Sequence, residues 1–275
     1  MNVIRHRESG VVLAEIAGDS LAGADLARAI LAYANLNGAD GRGANLRHAD
    51  LCNADLRGAR FDHATLTGAD ATLSESAGSV FAGALLDDAR MQALNKAHCG
   101  VVGMDFRGAD MTRVTLKNSN LSGSNFANAI LPRADLTRCD LSGADLSGAD
   151  LADASLLAAN LTGARLSHAS LVGATLTGAN LEGATLNGAD LTLATLNGVR
   201  VAGADFTDTL WSKTSLARAV GIESASGLDC LRFGDPSAID VHTLRESLAV
   251  LPIELLEQCG LRESDIPALR ALFSA

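Results

Sequence analysis

One large apolar residue recurs at every fifth position along most of this chain. From Ile16 to Leu216, 26 of the 41 positions in this register are leucine and five are phenylalanine. Alanine stands two residues before the large residue in 28 of these units, and glycine stands two residues after it in 20. This spacing matches neither the 3.6-residue period of an α-helix nor the two-residue period of a strand. The pattern therefore predicts a repeated unit of another kind.

The composition of the five-residue unit predicts a solenoid. One large and one small apolar side chain face inward, and the other three, mainly Asp, Asn, Ser, Thr, Arg and Gly, suit solvent. A unit this short cannot bury its own leucine, whereas stacked units bury one another's. Glycine permits the positive φ of tight turns. Backbone groups would then pair between coils, at a rise of about 4.8 Å per coil.

The units ADLSG, ANLTG, ANLEG and ADLTR resemble those of the pentapeptide-repeat proteins, and the resemblance covers about residues 14–218. It implies an all-β solenoid, a right-handed quadrilateral β-helix with four units in each coil. The 41 units would make about ten coils and a rod about 50 Å long. We divide the chain into an N-terminal lead-in (residues 1–13), the β-helix (residues 14–219) and a C-terminal helical cap or interaction module (residues 220–275).

Two stretches depart from the repeat, residues 71–80 and residues 91–103. Lys96 occupies a large-residue position, where a buried ammonium group would be costly. We therefore expect a bulge or loop near residues 93–100. Because the register resumes unchanged afterwards, any insertion should be a multiple of five residues. Drift within a tolerant coil and a recognition loop carrying Lys96 and His98 both remain open.

The C-terminal segment has a different pattern. The repeat stops after Leu216, and three short helices are predicted; Pro252 and Gly260 bracket one of them, as is usual at helix ends. The apolar residues of these helices either cap the last coil against edge pairing or form a dimer contact. The candidate cap or dimer residues are Leu244, Leu248, Leu255, Leu256 and Phe273.

The core of this segment, residues 251–260, is also similar to a short helical module that follows the repeats in some bacterial pentapeptide-repeat proteins. In several of those a Toll/interleukin-receptor-type signalling domain comes next. The resemblance leaves a sensor or adaptor role open.

Composition and charge narrow the classes of function. The net charge is -10 with no basic patch, so direct nucleic-acid binding is not expected. We expect no membrane span and no secretory signal. The five cysteines are an odd number without a CxxC motif, which favours the reducing cytoplasm. The scattered histidines form no catalytic or metal-binding constellation, so we expect a non-enzymatic protein without a cofactor.

One surface pattern suggests a partner. If residues 20 apart stack, five aspartates form a stripe on one face: Asp50, Asp70, Asp110, Asp150 and Asp190. Such a stripe resembles the logic of the pentapeptide-repeat proteins that mimic DNA and occupy DNA gyrase. The leading hypothesis is a rigid scaffold that binds a partner protein through a β-helical face, the 93–100 region or the tail. The tail is also the candidate site of homodimer formation. The alternative is an acidic DNA mimic that inhibits or protects gyrase or a related topoisomerase.

Overall fold

The body of the computed structural model is a four-sided coil. The residues described are 2–94, 102–240, 243, 248 and 251–273. Parallel β-bridges join Asp25 to Asn45 and Ile30 to Asp50, so a residue pairs with the residue 20 positions later. Four five-residue units therefore complete one turn of the coil, as predicted.

The bridges form four ladders along the coil, one on each face. Ladder A joins Asp25, Asn45, Thr65, Leu85, Asp110, Ile130, Asp150, Ser170, Asp190, Leu210 and Arg232. Ladder B joins Ile30, Asp50, Asp70, Arg90, Thr115, Asp135, Ser155, Thr175, Thr195, Ser215 and Ala238. Ladder C joins Asn35, Asp55 and Glu75, and then Asn120, Asp140, Asn160, Asn180, Arg200 and Val220. Ladder D joins Asp40, Arg60, Val80, Asp105, Asn125, Asp145, Arg165, Thr185, Asp205 and Ser226.

Each corner of the coil is a tight turn. In the first unit the Ala24 N–H donates to the Leu21 carbonyl at 2.9 Å, and Gly23 between them has φ 66°. A positive φ at the third residue alone is the pattern of a type II turn. Non-glycine residues adopt the same conformation elsewhere; His48, for example, has φ 56°.

The interior contains the predicted large and small side chains. Leucines such as Leu146, Leu166 and Leu186, 20 residues apart, are almost completely buried, and so are the alanines that precede them. One wall carries an aromatic stack in which Phe61, Phe81, Phe106 and Phe126 have successive ring centroids 5.4, 5.4 and 4.8 Å apart. Burial of this continuous core, rather than long strands, stabilises the coil.

Two small residues in large-residue positions are accommodated differently. At Gly41 a Cβ atom would lie 2.5 Å from the ring of Phe61, which fills the missing volume from the next coil. Ser76, in the irregular stretch 71–80, is buried, and its carbonyl accepts a hydrogen bond from the Ser79 hydroxyl at 2.6 Å. That stretch keeps the 20-residue register, since Asp55 bridges to Glu75.

Besides the single bridges, eight short strands and two α-helices have both ends within the described residues. The strands are β1 (Asn2–His6), β2 (Val12–Ile16), β3 (Ala34–Asn35), β4 (Thr195–Asn197), β5 (Leu210–Trp211), β6 (Ser215–Ala217), β7 (Arg232–Phe233) and β8 (Ala238–Ile239). The helices are α1 (Ile253–Gln258) and α2 (Ile266–Phe273), with 3-10 turns at Ile222–Ser224, Leu228–Cys230 and Glu263–Asp265.

The N-terminal lead-in forms an antiparallel hairpin. Strand β1 pairs with β2 on one side and with β3 on the other. Since β3 contains Asn35, the first residue of ladder C, β1 takes the place that an earlier coil would occupy on this face. Ile4 and Ile16 from the hairpin are buried in the core, which closes its interior at this end.

The register changes from 20 to 25 residues in one coil. Val80 bridges to Asp105 and Arg90 bridges to Thr115, and every later bridge as far as Arg200–Val220 returns to 20. The predicted insertion of a multiple of five residues is thus confirmed. The Leu94 carbonyl accepts the Asn120 N–H of the coil above, and the Val102 N–H donates to the Ser122 carbonyl of that coil. The five additional residues therefore fall between Leu94 and Val102.

The β-helix extends beyond the predicted boundary at residue 219. Strand β8 pairs in parallel with β6, and β7 pairs in parallel with β5. Paired residues are 22 positions apart between β5 and β7 and 23 positions apart between β6 and β8, rather than 20. Large apolar residues therefore no longer recur at every fifth position here. The boundary at 219 is therefore wrong, and parallel pairing ends at Ile239.

Helix α1 ends as its sequence predicts. Gly260 has φ 86°, its N–H donates to the Glu257 carbonyl at 2.9 Å, and the Leu261 N–H donates to the Leu256 carbonyl at 3.0 Å. This pair of bonds is the Schellman motif that glycine favours at helix ends. The first of the three predicted helices lies mostly outside the described residues.

Candidate interaction surface

The aspartates of the repeat have a structural role in their own units. Each of the five stripe residues accepts a hydrogen bond from the backbone N–H two residues later, at 2.9 to 3.1 Å; these residues are Asp50, Asp70, Asp110, Asp150 and Asp190. Such a side-chain-to-backbone bond is an Asx turn. The bond explains why Asp or Asn precedes the leucine so often.

The five stripe residues do not share one face. Asp50 and Asp70 lie on ladder B, whereas Asp110, Asp150 and Asp190 lie on ladder A. The stripe was predicted from a constant period of 20, and the five-residue insertion rotates all later units by one face. The single acidic stripe is therefore wrong as a geometric prediction, and partner binding by its residues stays a prediction.

Many repeat carboxylates are neutralised by arginines. Asp105 and Arg107 approach to 2.7 Å, and the hydrogen bond from the Arg107 guanidinium lowers the pKa of Asp105. Across neighbouring coils, the distance is 3.3 Å between Asp70 and Arg90 and 2.8 Å between Asp145 and Arg165. Exposed pairs of this kind add little stability. They do reduce the negative potential that the net charge alone would suggest.

The predicted tail contacts are largely buried. Leu248, Leu255 and Leu256 belong to the same hydrophobic cluster as the leucines of the coil, and each is at most 2% exposed. Leu244 and the side chain of Phe273 lie outside the described residues, so those two predictions stay predictions. The described leucines pack inside this chain and are not available as a surface.

Lys96 and His98 also lie outside the described residues, but the residues that flank the insertion are well defined. Ser119 Oγ accepts the Leu94 N–H at 3.0 Å and donates to the Met91 carbonyl at 3.1 Å. In most units the N–H of the small residue donates directly to the carbonyl three residues earlier. Here the Ser119 hydroxyl lies between the Leu94 N–H and the Met91 carbonyl and bonds to both. On the other side of the insertion, Ser124 Oγ accepts the Met104 N–H at 3.1 Å.

Sequence reasoning missed these two serines, although they carried a signal. Both occupy small-residue positions where alanine is the rule, and both are buried. The same substitution of a hydroxyl for alanine occurs at Thr209 and Thr214, where the last coil loses the regular register; the Thr214 hydroxyl donates to the Leu191 carbonyl at 2.9 Å. A buried hydroxyl in this position marks a coil whose neighbour departs from the repeat.

One corner of the coil has glycine at its third turn position from Gly38 to Gly203. These turn residues lie between ladders C and D and have positive φ: Gly38, Gly58, Gly78, Gly103, Gly123, Gly143, Gly163, Gly183 and Gly203. At the other three corners the same position mixes glycine with charged and polar residues, such as His63, Arg133 and Arg138. The side chains of the glycine corner come from the preceding position, which includes Arg57 and Glu182.

The described residues offer little chemistry for catalysis. No group of three or more His, Cys, Asp or Glu among them could hold a metal ion. Burial, together with hydrogen bonds to Asp50 and Asp70, raises the pKa of the Cys52 thiol to about 12, and burial raises the pKa of Cys139 to about 12. Thiols of this kind are poor nucleophiles. Within the described part of the chain, no helix has the length and apolarity needed to cross a membrane.

Comparison with solved structures finds pentapeptide-repeat proteins. One is HetL from the cyanobacterium Nostoc sp. strain PCC 7120, a pentapeptide-repeat protein involved in regulating heterocyst differentiation. It is 29% identical to this chain; the alignment covers 76% of this chain and 89% of HetL, with a TM-score of 0.42. Rfr23 from the cyanobacterium Cyanothece 51142 is 37% identical over 36% of this chain and 62% of that chain, with a TM-score of 0.28. QnrB1, a plasmid-mediated fluoroquinolone resistance protein, is 18% identical over 82% of this chain and 97% of that chain, with a TM-score of 0.27.

The family assignment rests on the sequence repeat itself. Among curated proteins no relative matches this chain. A family model described as pentapeptide repeats matches in eight copies, over residues 20–58, 42–74, 101–126, 119–156 and 159–198. These spans together cover more than half of the sequence, and they coincide with the four-ladder coil. The chain belongs to the pentapeptide-repeat family.

Proposed function

We propose that this protein is a non-enzymatic scaffold that presents the insertion between Leu94 and Val102 to a partner protein. The observation that carries the proposal is the 25-residue step between Val80 and Asp105 within ladders that otherwise step by 20. Five residues are added to one coil while both neighbouring coils keep their pairing. Surface elements added to a rigid framework are the usual carriers of recognition.

The hydrogen bonds that flank the insertion favour a recognition loop over random drift of the repeat sequence. The Ser119 and Ser124 hydroxyls accept hydrogen bonds from the N–H groups of Leu94 and Met104 on either side of the insertion. Leaving a buried N–H unsatisfied costs about 1–3 kcal/mol. The phenylalanine stack also continues across the insertion without a gap.

A rigid coil suits the binding role energetically. Association requires that flexible groups become ordered, and a preorganised framework loses less entropy in doing so. We infer that Lys96 and His98 supply charge and hydrogen-bonding groups to the partner, and that the tail caps the last coil. The free thiols among the described cysteines fit our placement of the protein in the cytoplasm.

The test is a deletion that restores the regular register. Removal of residues 96–100 leaves a 20-residue step, so we expect an unchanged circular-dichroism spectrum and thermal unfolding midpoint. In a cross-linking pull-down from the host, a partner should be captured stoichiometrically by the full chain and lost with the deletion. A matched variant, Leu157→Ala on an exposed turn, should retain it. Identical capture by the folded deletion variant would refute the proposal.

Gyrase is the second candidate partner, and one observation favours it. Asp110, Asp150 and Asp190 occur on every second rung of ladder A, and in the described residues none has an Arg or Lys nitrogen within 4.0 Å. A supercoiling assay decides between the candidates. If the protein mimics DNA, it should inhibit gyrase or protect it from drugs, and Asp150→Asn combined with Asp190→Asn should weaken the effect. The paired Asp145→Asn is the control, and no effect at micromolar protein would remove this candidate.

The role of the tail is tested by oligomeric state. Because parallel pairing reaches Ile239, a truncation after residue 240 retains the whole ladder. Light scattering should show a monomer for the full chain, since Leu255 and Leu256 are buried within it. A dimer that the truncation converts to a monomer would instead assign the tail to self-association.

A further inference from the structure

The two ends of the β-helix treat their free backbone groups differently. At the C-terminal end, side chains that follow the last regular coil accept hydrogen bonds from its N–H groups. Ser237 Oγ accepts from Thr214 at 3.2 Å, and Thr243 Oγ1 accepts from Ala219 at 3.1 Å. These bonds connect the last regular coil to the chain that follows it.

At the N-terminal end, strand β1 covers ladder C, and within the described residues the other three ladders have no strand below their first residue. Asp25, Ile30 and Asp40 bridge only to the coil above them. Within the described residues, the backbone N–H and C=O groups of Asp25 and Ile30 have no protein partner. A row of unpaired backbone groups is a template for an additional strand.

Ile30 marks this edge with an exposed apolar side chain. It is 75% exposed, the highest value among the large apolar residues that the structure describes. Tyr33, at the adjacent corner, stacks on His6 of β1 with ring centroids 5.3 Å apart and is itself 39% exposed. An added strand at Ile30 would therefore find apolar surface as well as hydrogen-bonding groups.

The charges beside Ile30 favour an acidic partner. Arg28 and Arg47 are neighbours at the other corner, since the Arg28 N–H donates to the Arg47 carbonyl at 2.8 Å. Within the described residues, neither guanidinium has a carboxylate oxygen within 4.0 Å. This contrasts with Arg42 and Arg57, which form ion pairs of 2.8 and 2.6 Å in their own units.

The acidic side chains near Arg28 are already engaged. The Asp25 carboxylate accepts hydrogen bonds from the Ala27 N–H at 3.2 Å and from Asn45 Nδ2 at 2.9 Å. Asp50, one rung above Ile30, accepts the N–H two residues later at 3.0 Å. The two arginines thus remain available to carboxylates from another molecule.

We propose that the open edge at Ile30 binds an extended, acidic segment of a partner protein as an added rung of ladder B. The backbone of that segment pairs with the free N–H and C=O groups of Ile30, an apolar side chain packs on Ile30, and its carboxylates pair with Arg28 and Arg47. Strand addition of this kind takes affinity from main-chain bonds and specificity from side chains. The inference does not depend on the insertion at Leu94–Val102.

The test uses the full chain and two labelled peptides. One peptide alternates valine with aspartate, and the other alternates valine with lysine; fluorescence anisotropy measures binding. We expect the aspartate peptide to bind at least tenfold more tightly than the lysine peptide and to weaken as salt is added. Ile30→Pro removes both an N–H that the fold does not use and the exposed isoleucine side chain, so it should abolish binding of the aspartate peptide.

A charge reversal separates the role of the arginines from effects on folding. Arg28→Glu combined with Arg47→Glu should reverse the preference between the peptides, while Arg138→Glu, at a distant corner, should change nothing. Equal binding of both peptides, no binding, or binding by a folded Ile30→Pro variant that equals wild type would overturn the proposal. So would light scattering that shows a dimer which Ile30→Pro dissociates, because the occupant would then be a second copy.

Discussion

The pairing of Gly41 with Phe61 makes a sharp prediction about how the core is filled. Gly41 stands where the repeat normally has leucine, and its ideal Cβ position lies 2.5 and 2.6 Å from two atoms of the Phe61 ring. Gly41 has no positive φ, so its backbone suits any residue. The perturbation is a double-mutant cycle of Gly41→Leu and Phe61→Leu, which together restore leucine above leucine.

The single substitutions should both destabilise the coil. Gly41→Leu forces a side chain into space that the ring occupies, and overpacking costs about 1–3 kcal/mol or more. Phe61→Leu leaves a void above Gly41 and removes the stacked contact with Phe81; together these cost about 2 kcal/mol. Independent effects would add to about 4–5 kcal/mol in the double variant.

The double variant should instead lose only about 1–2 kcal/mol, the part due to the lost aromatic contact. The implied coupling is about 3 kcal/mol, at the upper end for residues in contact. Denaturant unfolding followed by circular dichroism measures all four proteins, with equal m-values as the condition for comparison. If the double variant is as unstable as the sum of the single ones, Phe61 does not fill the volume that Gly41 leaves.

Three further predictions concern the turns, the thiols and the insertion. Gly58→Ala should cost about 1 kcal/mol because alanine adopts the left-handed region poorly. Gly68→Ala should cost more, since its Cβ would also displace the imidazole of His48; thermal unfolding of both variants compares them, and equal costs would contradict the contact. Native Cys52, with its pKa raised to about 12, should resist iodoacetamide at pH 8 and react after denaturation, as mass spectrometry of the labelled chain can show. Ser119→Ala should cost about 2 kcal/mol by leaving a buried N–H unsatisfied, and an unchanged denaturation midpoint would contradict the bridging role of its hydroxyl.

The architecture was predictable because the repeat encodes it locally. Each unit carries its own turn residue, its own inward leucine and its own Asx-turn carboxylate, so no long-range information is needed to recognise the coil. That any insertion is a multiple of five residues also followed from sequence, because the apolar register resumes in phase at Phe106. The fold class and the family were therefore within reach of sequence reasoning.

The arrangement of surface residues was not predictable in the same way. Which side chains share a face depends on how many residues each coil contains, and this number changes at the insertion and again near the C-terminal end. The phase of the repeat is identical for four or five units in a coil, so Asp70 and Asp110 appeared to lie on one stripe. Only the pairing of Arg90 with Thr115 shows that the later residues have moved by one face.

Both ends of the rod were also hidden from periodicity. Strand β1 pairs antiparallel to the coil and has no five-residue pattern, so the lead-in contained no signal of its place on ladder C. At the other end, irregular spacings bring β7 and β8 onto the ladders without leucine at the expected positions. Pairing that rests on backbone hydrogen bonds alone leaves little trace in composition.

The unbroken phenylalanine wall has a consequence for how this protein can change over time. Its rings contact one another across the coil that contains the insertion, so the packing of this wall does not depend on the number of inserted residues. Polypeptide that leaves after Leu94 and returns at Val102 in the same five-residue phase leaves these ring contacts unchanged. Loop variants could therefore exchange at this site while the rod persists, and natural or engineered diversity can accumulate there without refolding the framework.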